Sequence, residues 1–388
     1  MIDIDPGWGE QAFEKPRRPA TEGLRPQEER SFATRPAASA FAVPGPDIPP
    51  IAGERAFAVI PCLNEAEHIA ALIGRLLDDE AWRDPLVVVA DGGSTDGTVD
   101  IVRAIAAEDL RVRLLENPLR LQSAAVNLAA VRCGRGRRWM VRVDAHAGYP
   151  PAYVSRLVEE GRRAGAASVV VAMDTVGRGG FQSAAAAAQN SVLGTGGSAH
   201  RGRHRSGWVD HGHHALFDLD HFFAVGGYDE TFRANEDAEF DVRLARNRGG
   251  IWLSEDVRVT YYPRATALSL FSQYLHYGRG RARTLLRHGL KPKLRQMLPV
   301  AVAPAVALAP FGLLAPPLAL PAAVWLGGCL GVGAVLGFRA RSRAALASGV
   351  AAAVMHLAWS IGFWQQLLTG RKARRTAPSL MPLDESAS

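Results

Sequence analysis

Cysteine is nearly absent from the 388 residues: Cys62, Cys133 and Cys329 are scattered, odd in number and without a CxxC pair. That argues against a disulfide framework and a thiolate zinc site, and it fits a reducing compartment. An apolar run near the N-terminus is missing as well; MIDIDPGWGEQAFEKPRRP offers no h-region, so no cleaved signal peptide is expected. Lysine is scarce, and the net charge of +7 is carried almost wholly by arginine. Residues 1–52 are rich in Pro, Arg, Glu and Ala, lack a sustained period and end in VPGPDIPPIAG. They read as a disordered tail and linker that cannot bury enough apolar surface to fold alone.

From Phe57 to about Pro263 the pattern is that of a soluble α/β domain. Strand-like runs recur as FAVI (57–60), LVVVA (86–90), VRLLE (112–116), WMVRV (139–143) and SVVVAM (168–173). Between them lie helical periods, with Ile69, Leu72, Ile73, Leu76 and Leu77 on one face and Val99, Val102 and Ile105 on another. Strand and helix alternate at the length of a βαβ unit, which predicts a mostly parallel sheet covered by helices. Ligands of such sheets sit beyond the carboxyl ends of the strands.

Those ends are acidic or amide: PCLNE (61–65), ADGGSTDGT (90–98) and VRVDAH (141–146). Three acidic clusters on one edge repel unless a cation or a donor-rich ligand lies among them. A base and ribose supply donors, so the DGGSTDGT loop is read as gripping a nucleoside, with Asp91 the better contact. A diphosphate needs a divalent ion, which Asp144 and His146 could hold; carboxylate and one imidazole suit Mn²⁺ or Mg²⁺. In RANEDAEFDVRLA, Glu236 and Asp237 fall at an expected helix start, with Phe240, Leu244 and Val242 toward the buried side. An ionised carboxylate there is an N-terminal cap or a general base for a sugar hydroxyl.

VIPCLNE, VVVADGGSTDGT, VRVDAH and GGYDETFRANEDAEFDVRL resemble, in order, the motifs of family 2 glycosyltransferases. They come closest to bacterial exopolysaccharide transferases of the succinoglycan ExoA type, and the likeness spans roughly residues 55–265. It implies a GT-A fold, the Rossmann-like α/β architecture of nucleotide-diphospho-sugar transferases, over residues 53–267. It also implies that Pro61, Asn64, Glu65, Asp91, Gly92 and Asp96 bind the nucleotide sugar, that Asp144 and His146 hold the metal, and that Asp237, beside Glu236, is the base. The sequence departs from the family in reading D-G-G where D-D is common, and in ending the metal motif with His146. The implied activity is inverting, metal-dependent transfer of a hexose, expected to be glucose from UDP-glucose, to a lipid-linked saccharide in cell-surface polysaccharide synthesis. The alternatives are a non-catalytic membrane subunit that binds sugar nucleotides, and a polyprenyl-phosphate sugar synthase. No nucleic acid partner is expected.

Other features carry less. GTGGSAHRG (194–202) has the wrong glycine spacing for a dinucleotide fingerprint and is expected to be a loop over the substrates. In WVDHGHHALFD, strand alternation puts His211 and His213 on one face and His214 on the other. The alanines 184–188 read as helix.

Residues 268–297 pair an apolar set (Leu268, Phe271, Tyr274, Leu275, Tyr277) with a run of arginines. This predicts an interfacial segment facing anionic headgroups, with Arg279 and Arg281 also placed to neutralise the leaving diphosphate. From Leu298 to Phe338 the chain is apolar apart from APP at 315–317, about twice the length that crosses a bilayer. A two-pass hairpin follows, with a further apolar segment at 344–368 and a tail from 371 to 388. The expected location is the inner (plasma) membrane, multi-pass, with the catalytic domain cytoplasmic.

Overall fold

In a computed structural model that describes residues 56–195, 205–292 and 294–376, the apolar runs form an eight-stranded sheet. Its strands are β1 (Ala56–Cys62), β2 (Val87–Asp91), β3 (Val112–Glu116), β4 (Trp139–Arg142), β5 (Ser168–Thr175), β6 (Gly207–Val209), β7 (His213–Asp218) and β8 (Ile251–Tyr261). They lie in the order β3-β2-β1-β4-β7-β5-β8-β6. β1 to β4 are mutually parallel, as are β5 and β8, whereas β7 runs antiparallel to both β4 and β5, and β6 to β8. The sheet is therefore mostly parallel, as expected, and is made mixed by the reversed strands β6 and β7. Periodicity marks where a strand lies and not which way its neighbour runs.

β1 and β2 are covered on both faces, which is why they read as unbroken apolar runs. The helices Ile69–Leu77, Thr98–Glu108 and Tyr153–Ala164 cover one face, with Ile69, Leu72, Ile73 and Leu76 buried as their spacing predicts. Gln122–Cys133 and Glu236–Arg246 cover the other. From β1 the chain runs outward to β2 and β3, then returns to β4 on the opposite side. That reversal leaves a crevice at the carboxyl ends of β1 and β4, where α/β sheets bind ligands. All three cysteines are buried and unpaired.

The C-terminal part is helical. Ala267–His288 opens on a capping box between Thr266 and Ser269 and closes on Gly289 at φ 65°. Its buried side is Leu270, Gly278, Gly280, Ala282, Thr284 and Leu285; Leu268, of the apolar set expected in an interfacial segment, is 80 % exposed. The hairpin expected over 298–338 has unequal limbs. Leu294–Leu308 contains Pro299 and Pro304 and runs into short 3₁₀ turns, because each proline removes a backbone donor. Leu320–Ala340 and Arg343–Gly370 are long and apolar enough to cross a membrane. The first of these is largely bare, with Val324 and Phe338 exposed; the second is more covered. Within it, Ala351, Ala352 and Met355 pack on Ala184, Ala185 and Ala188 of the helix Gly180–Gln189, where the alanine run was expected to be helical.

Candidate active site

Two loops interlock over the end of β1. Asn64, at φ 57°, accepts the Thr95 N–H through its side chain (2.9 Å) and donates its own N–H to Ser94 Oγ (2.8 Å). The Glu65 N–H reaches Thr98 Oγ1 (2.9 Å), and the Ala66 N–H reaches Asp96 (3.0 Å). Asp96 also accepts the Thr98 hydroxyl, and this hydrogen bond, with that from Ala66, lowers its pKa. Asp91 is buried and receives the N–H groups of Gly93 (2.7 Å) and Ser94 (3.0 Å) and the Ser94 hydroxyl (2.5 Å). Much of the acidity of DGGSTDGT thus holds the loop in shape, while an ionised carboxylate with about four acceptor sites keeps capacity for a ligand's donors. Gly92 closes against Cys62, the last residue of β1, its N–H on that carbonyl at 2.8 Å, and half-buried Pro61 precedes Cys62 in the strand.

The second half of the site is built around an arginine. Arg142, 3 % exposed at its side chain, donates to Asp237 at 2.8 and 3.3 Å, to the Tyr228 hydroxyl at 3.1 Å and to His213 Nδ1 at 3.2 Å. Its Nε is buried without a hydrogen-bond partner among the described residues and lies 3.8 Å from Asp144 Oδ1. A guanidinium only donates, so His213 Nδ1 is the acceptor and Nε2 carries the proton, facing Asp144 at 3.4 Å. Burial and the Arg142 charge push His213 down to about 4, keeping it neutral. Gln122 donates to Asp144 from a third direction (3.1 Å).

Glu236 and Asp237 start the helix Glu236–Arg246, as expected, with Phe240 and Leu244 buried and Val242 half-buried. Burial pushes both carboxyls up, but the Arg142 charge and the Tyr228 hydroxyl hold Asp237 well below the ordinary carboxylate range. Glu236 is raised to about 7 by burial and by the adjacent Asp237 charge. Tyr228 is placed by the GGY turn: Gly226 and Gly227 take φ 81° and 66°, and buried Asn127 holds the Tyr228 N–H (2.8 Å) and carbonyl (2.9 Å). Arg243 locks the same turn through the Val225 and Gly227 carbonyls.

His146 lies on Glu65 at 3.0 Å. A carboxylate only accepts, so Nδ1 carries the proton, and in the neutral ring Nε2 keeps its lone pair. Ligating histidines are commonly oriented in this way. Among the described residues no group of three or more His, Cys, Asp or Glu side chains could hold a metal. The donors fit an ion that takes one or two protein ligands and completes its shell with substrate oxygens and water, the habit of Mg²⁺, rather than a closed zinc cage.

The family model described as Glycosyl transferase family 2 matches residues 57–222. The succinoglycan biosynthesis protein ExoA of Rhizobium meliloti (strain 1021) is 51% identical over 314 residues, covering 81% of this chain and 95% of that protein. The chain belongs to the family 2 glycosyltransferases. An undecaprenyl-phosphate mannosyltransferase of Micrococcus luteus is 36% identical over 112 residues, but these cover only 28% of this glycosyltransferase and 45% of that protein. Among solved structures, a mannosyltransferase from Pyrobaculum calidifontis in complex with GDP-Man and Mn²⁺ aligns with a TM-score of 0.50 at 20% identity, over 82% of this chain and 92% of that one. That likeness establishes the GT-A fold.

Within this glycosyltransferase the structure brings Asp144, Glu236 and Asp237 together around Arg142, and pairs Glu65 with His146. Arg279 instead donates to Gln365 of the last helix (3.0 and 2.7 Å). Arg281 is half-buried on the same helix as Arg279. Arg142, His213, Gln122 and Tyr228 were missed from the sequence. For Arg142 a signal existed, since alternation puts residues 142 and 144 on one face. The histidine cluster is arranged differently from its expected alternation: β7 begins only at His213, so His211 lies outside the strand and joins His214 on Asp241, while His213 turns to the site. Buried His214 also bonds Ser168, so this pair is structural support for β7. Most of GTGGSAHRG lies outside the described residues.

Proposed function

We propose that this glycosyltransferase moves a hexose, glucose from UDP-glucose, with inversion onto a lipid-linked saccharide at a membrane, in exopolysaccharide synthesis of the succinoglycan kind. The observation that carries the reading is the convergence of Asp144 and Asp237 on Arg142 beside the two interlocked loops. In this reading Asp144 serves the donor side and Asp237 the acceptor side, and their shared partner Arg142 supports it. The 51% identical relative supports the polysaccharide context. The bare apolar side chains of Leu320–Ala340 support a membrane seat at the inner membrane, with several passes and a cytoplasmic catalytic domain.

In this reading the Asn64–Thr98 loops, with Asp91, hold the nucleoside. Asp144 and His146 would hold Mn²⁺ or Mg²⁺, which neutralises diphosphate charge when bound. Asp237, its pKa held low by Arg142, takes the proton of the acceptor hydroxyl as that oxygen attacks the anomeric carbon and the bond to the nucleoside diphosphate breaks, so the diphosphate leaves and an α-linked donor gives a β-linked product. Tyr228 and Arg142 fix the carboxylate's direction. Glu236 is the second candidate for the base, favoured by its pKa of about 7, near the optimum for a proton acceptor. The partly matching mannosyltransferase favours a lipid-phosphate acceptor as the rival reaction, which needs no base.

Membranes carrying the full chain, supplied with radiolabelled nucleotide sugars, test all of this together. Labelled saccharide lipid whose formation stops in excess chelator, and in Asp144→Ala with loss of nucleotide binding, is the expected result. Full turnover in chelator removes the metal, and a product with sugar directly on a lipid phosphate favours the rival.

A further inference from the structure

His146 also lines a cavity of about 450 Å³ whose arginines have no part in the proposed mechanism. Its walls are one side of the helix Ile69–Leu77 with the residues before it, the loop that follows β4, and the end of β8. Arg75, Arg178 and Arg258 line it with His68, His146 and Tyr262, and Glu67 is the one carboxylate among the described lining residues. Two of the arginines are held in place. Asp174 grips the Arg258 guanidinium in two places (2.8 and 2.5 Å). The Arg178 guanidinium stacks on the Tyr262 ring, 4.1 Å from its centre. Gln182 accepts the Arg178 N–H (2.7 Å) and donates to the Pro263 carbonyl (2.8 Å), joining the two walls. Arg75 stands exposed at the last turn of its helix.

Position narrows the ligand. The VGRGG segment that carries Arg178 leads directly into Gly180–Gln189, whose alanines pack on Ala351, Ala352 and Met355 of the last apolar stretch. Tyr262 leads, within five residues, into the helix Ala267–His288, which packs on the same stretch. The cavity therefore opens between His146 at the catalytic edge and the helices that would meet lipid. Planar guanidinium groups recognise phosphate oxygens, and Arg75 and Arg178, left available once Asp174 neutralises Arg258, suit a phosphate or diphosphate group.

We propose that this cavity binds the phosphate or diphosphate of the lipid that carries the acceptor. The proposal rests on the lipid-linked acceptor of the proposed function. It places the acceptor's anionic anchor on Arg75 and Arg178, while the nucleotide keeps its own loops.

The full-length protein in detergent micelles is titrated with geranylgeranyl diphosphate, with inorganic pyrophosphate and with UDP, as wild type and as Arg75→Ala/Arg178→Ala. Losing a charge-assisted hydrogen bond weakens affinity by about tenfold, so the double variant should bind the prenyl diphosphate on the order of a hundredfold more weakly. UDP affinity, unchanged, shows that the fold and donor site are intact, and Arg178→Lys should recover part of the loss. Equal weakening of UDP assigns the cavity to the donor diphosphate and overturns the proposal. So does wild-type binding of pyrophosphate as tight as the prenyl compound, which would leave the lipid without a role, and so does unchanged prenyl affinity in the variant. Binding needs no turnover, so these outcomes are independent of whether the sugar-transfer assay succeeds.

Discussion

Replacing Arg142 with methionine tests the centre of the site. The side chain is 3 % exposed and its guanidinium is shared by Asp237, Tyr228 and His213, so methionine keeps most of the volume and removes every donor. Breaking a buried ion pair from one side costs about 3–5 kcal/mol, because the surviving charge is left without a partner. Asp237 retains 17 % of its side-chain surface, and water tempers the loss toward the lower figure. At about 2–4 °C per kcal/mol, the unfolding midpoint of the detergent-solubilised protein should fall by on the order of 10 °C. The Asp237 carboxyl should rise once burial is no longer opposed by the guanidinium, so the destabilisation should be smaller in acid, where a proton replaces the lost charge. Arg142→Met/Asp237→Leu removes both partners and should recover most of the midpoint. Thermal unfolding followed by tryptophan fluorescence at pH 5 and pH 8 reads both effects. A single variant that melts with wild type at both pH values would refute the pairing.

The pH–rate profile separates the two carboxylates: with Asp237 as base, kcat/KM should stay level through pH 7, whereas an acid limb near 7 that vanishes in Glu236→Gln moves the role to Glu236. In Asp237→Asn the Glu236 carboxyl should drop below its wild-type value of about 7, since the like charge is gone and Arg142 is unpaired. If Asp237 is the base, that variant loses about 10²–10⁴-fold in transfer with donor binding retained. The full chain should stay in the membrane pellet in high salt, which screens arginine–headgroup attraction but not apolar insertion; recovery in the supernatant would rule out spanning. Gly280→Ala should lower turnover with nucleotide affinity kept, because a Cβ there falls 2.5 Å from Asn235 Cβ and 2.6 Å from the Ala234 carbonyl oxygen. Gly327→Ala, which meets nothing within 4 Å, should leave turnover unchanged.

What the sequence disclosed depended on range. β3 lies at 112–116, where its composition placed it, and Glu236 and Asp237 open their helix because capping and periodicity are local signals. Long-range partners were invisible. Arg142 meets Asp237 from 95 residues away, and alternation sets Arg142 on the face of Asp144 without showing this second partner. The histidines were misread because a strand was drawn through residues 211–214, while the ladder to β5 starts only at His213. The arginines of the helix Ala267–His288 were read as facing headgroups. Arg283 donates to the Thr231 carbonyl and hydroxyl and lies 4.4 Å over the Phe232 ring, and Arg287 pairs with Asp229 at 2.9 Å. Composition shows a basic stripe, and only the fold shows what it grips.

Those contacts change what the basic helix is for. On one side Gly278 and Gly362 let Ala267–His288 and the last helix approach so closely that a Cβ at either would fall 2.0 Å from a backbone carbonyl oxygen of the other helix. On the other side, Gly280 touches Ala234 and Asn235, Arg283 and Arg287 hold residues 229–231, and His288 bonds the fully buried Glu239 at 2.9 Å. The segment that delivers Glu236 and Asp237 is thereby clamped to a helix that is itself clamped to the apolar C-terminal stretch. A domain cut at about residue 265 would lose the whole clamp and leave Glu239 buried with Arg243 as its remaining partner. Removing one partner from a buried charge network is costly, so the start of the catalytic helix would loosen even if the sheet stayed folded. The C-terminal helices therefore serve the chemistry as well as any membrane attachment. They set the position of Glu236 and Asp237 at the start of that helix.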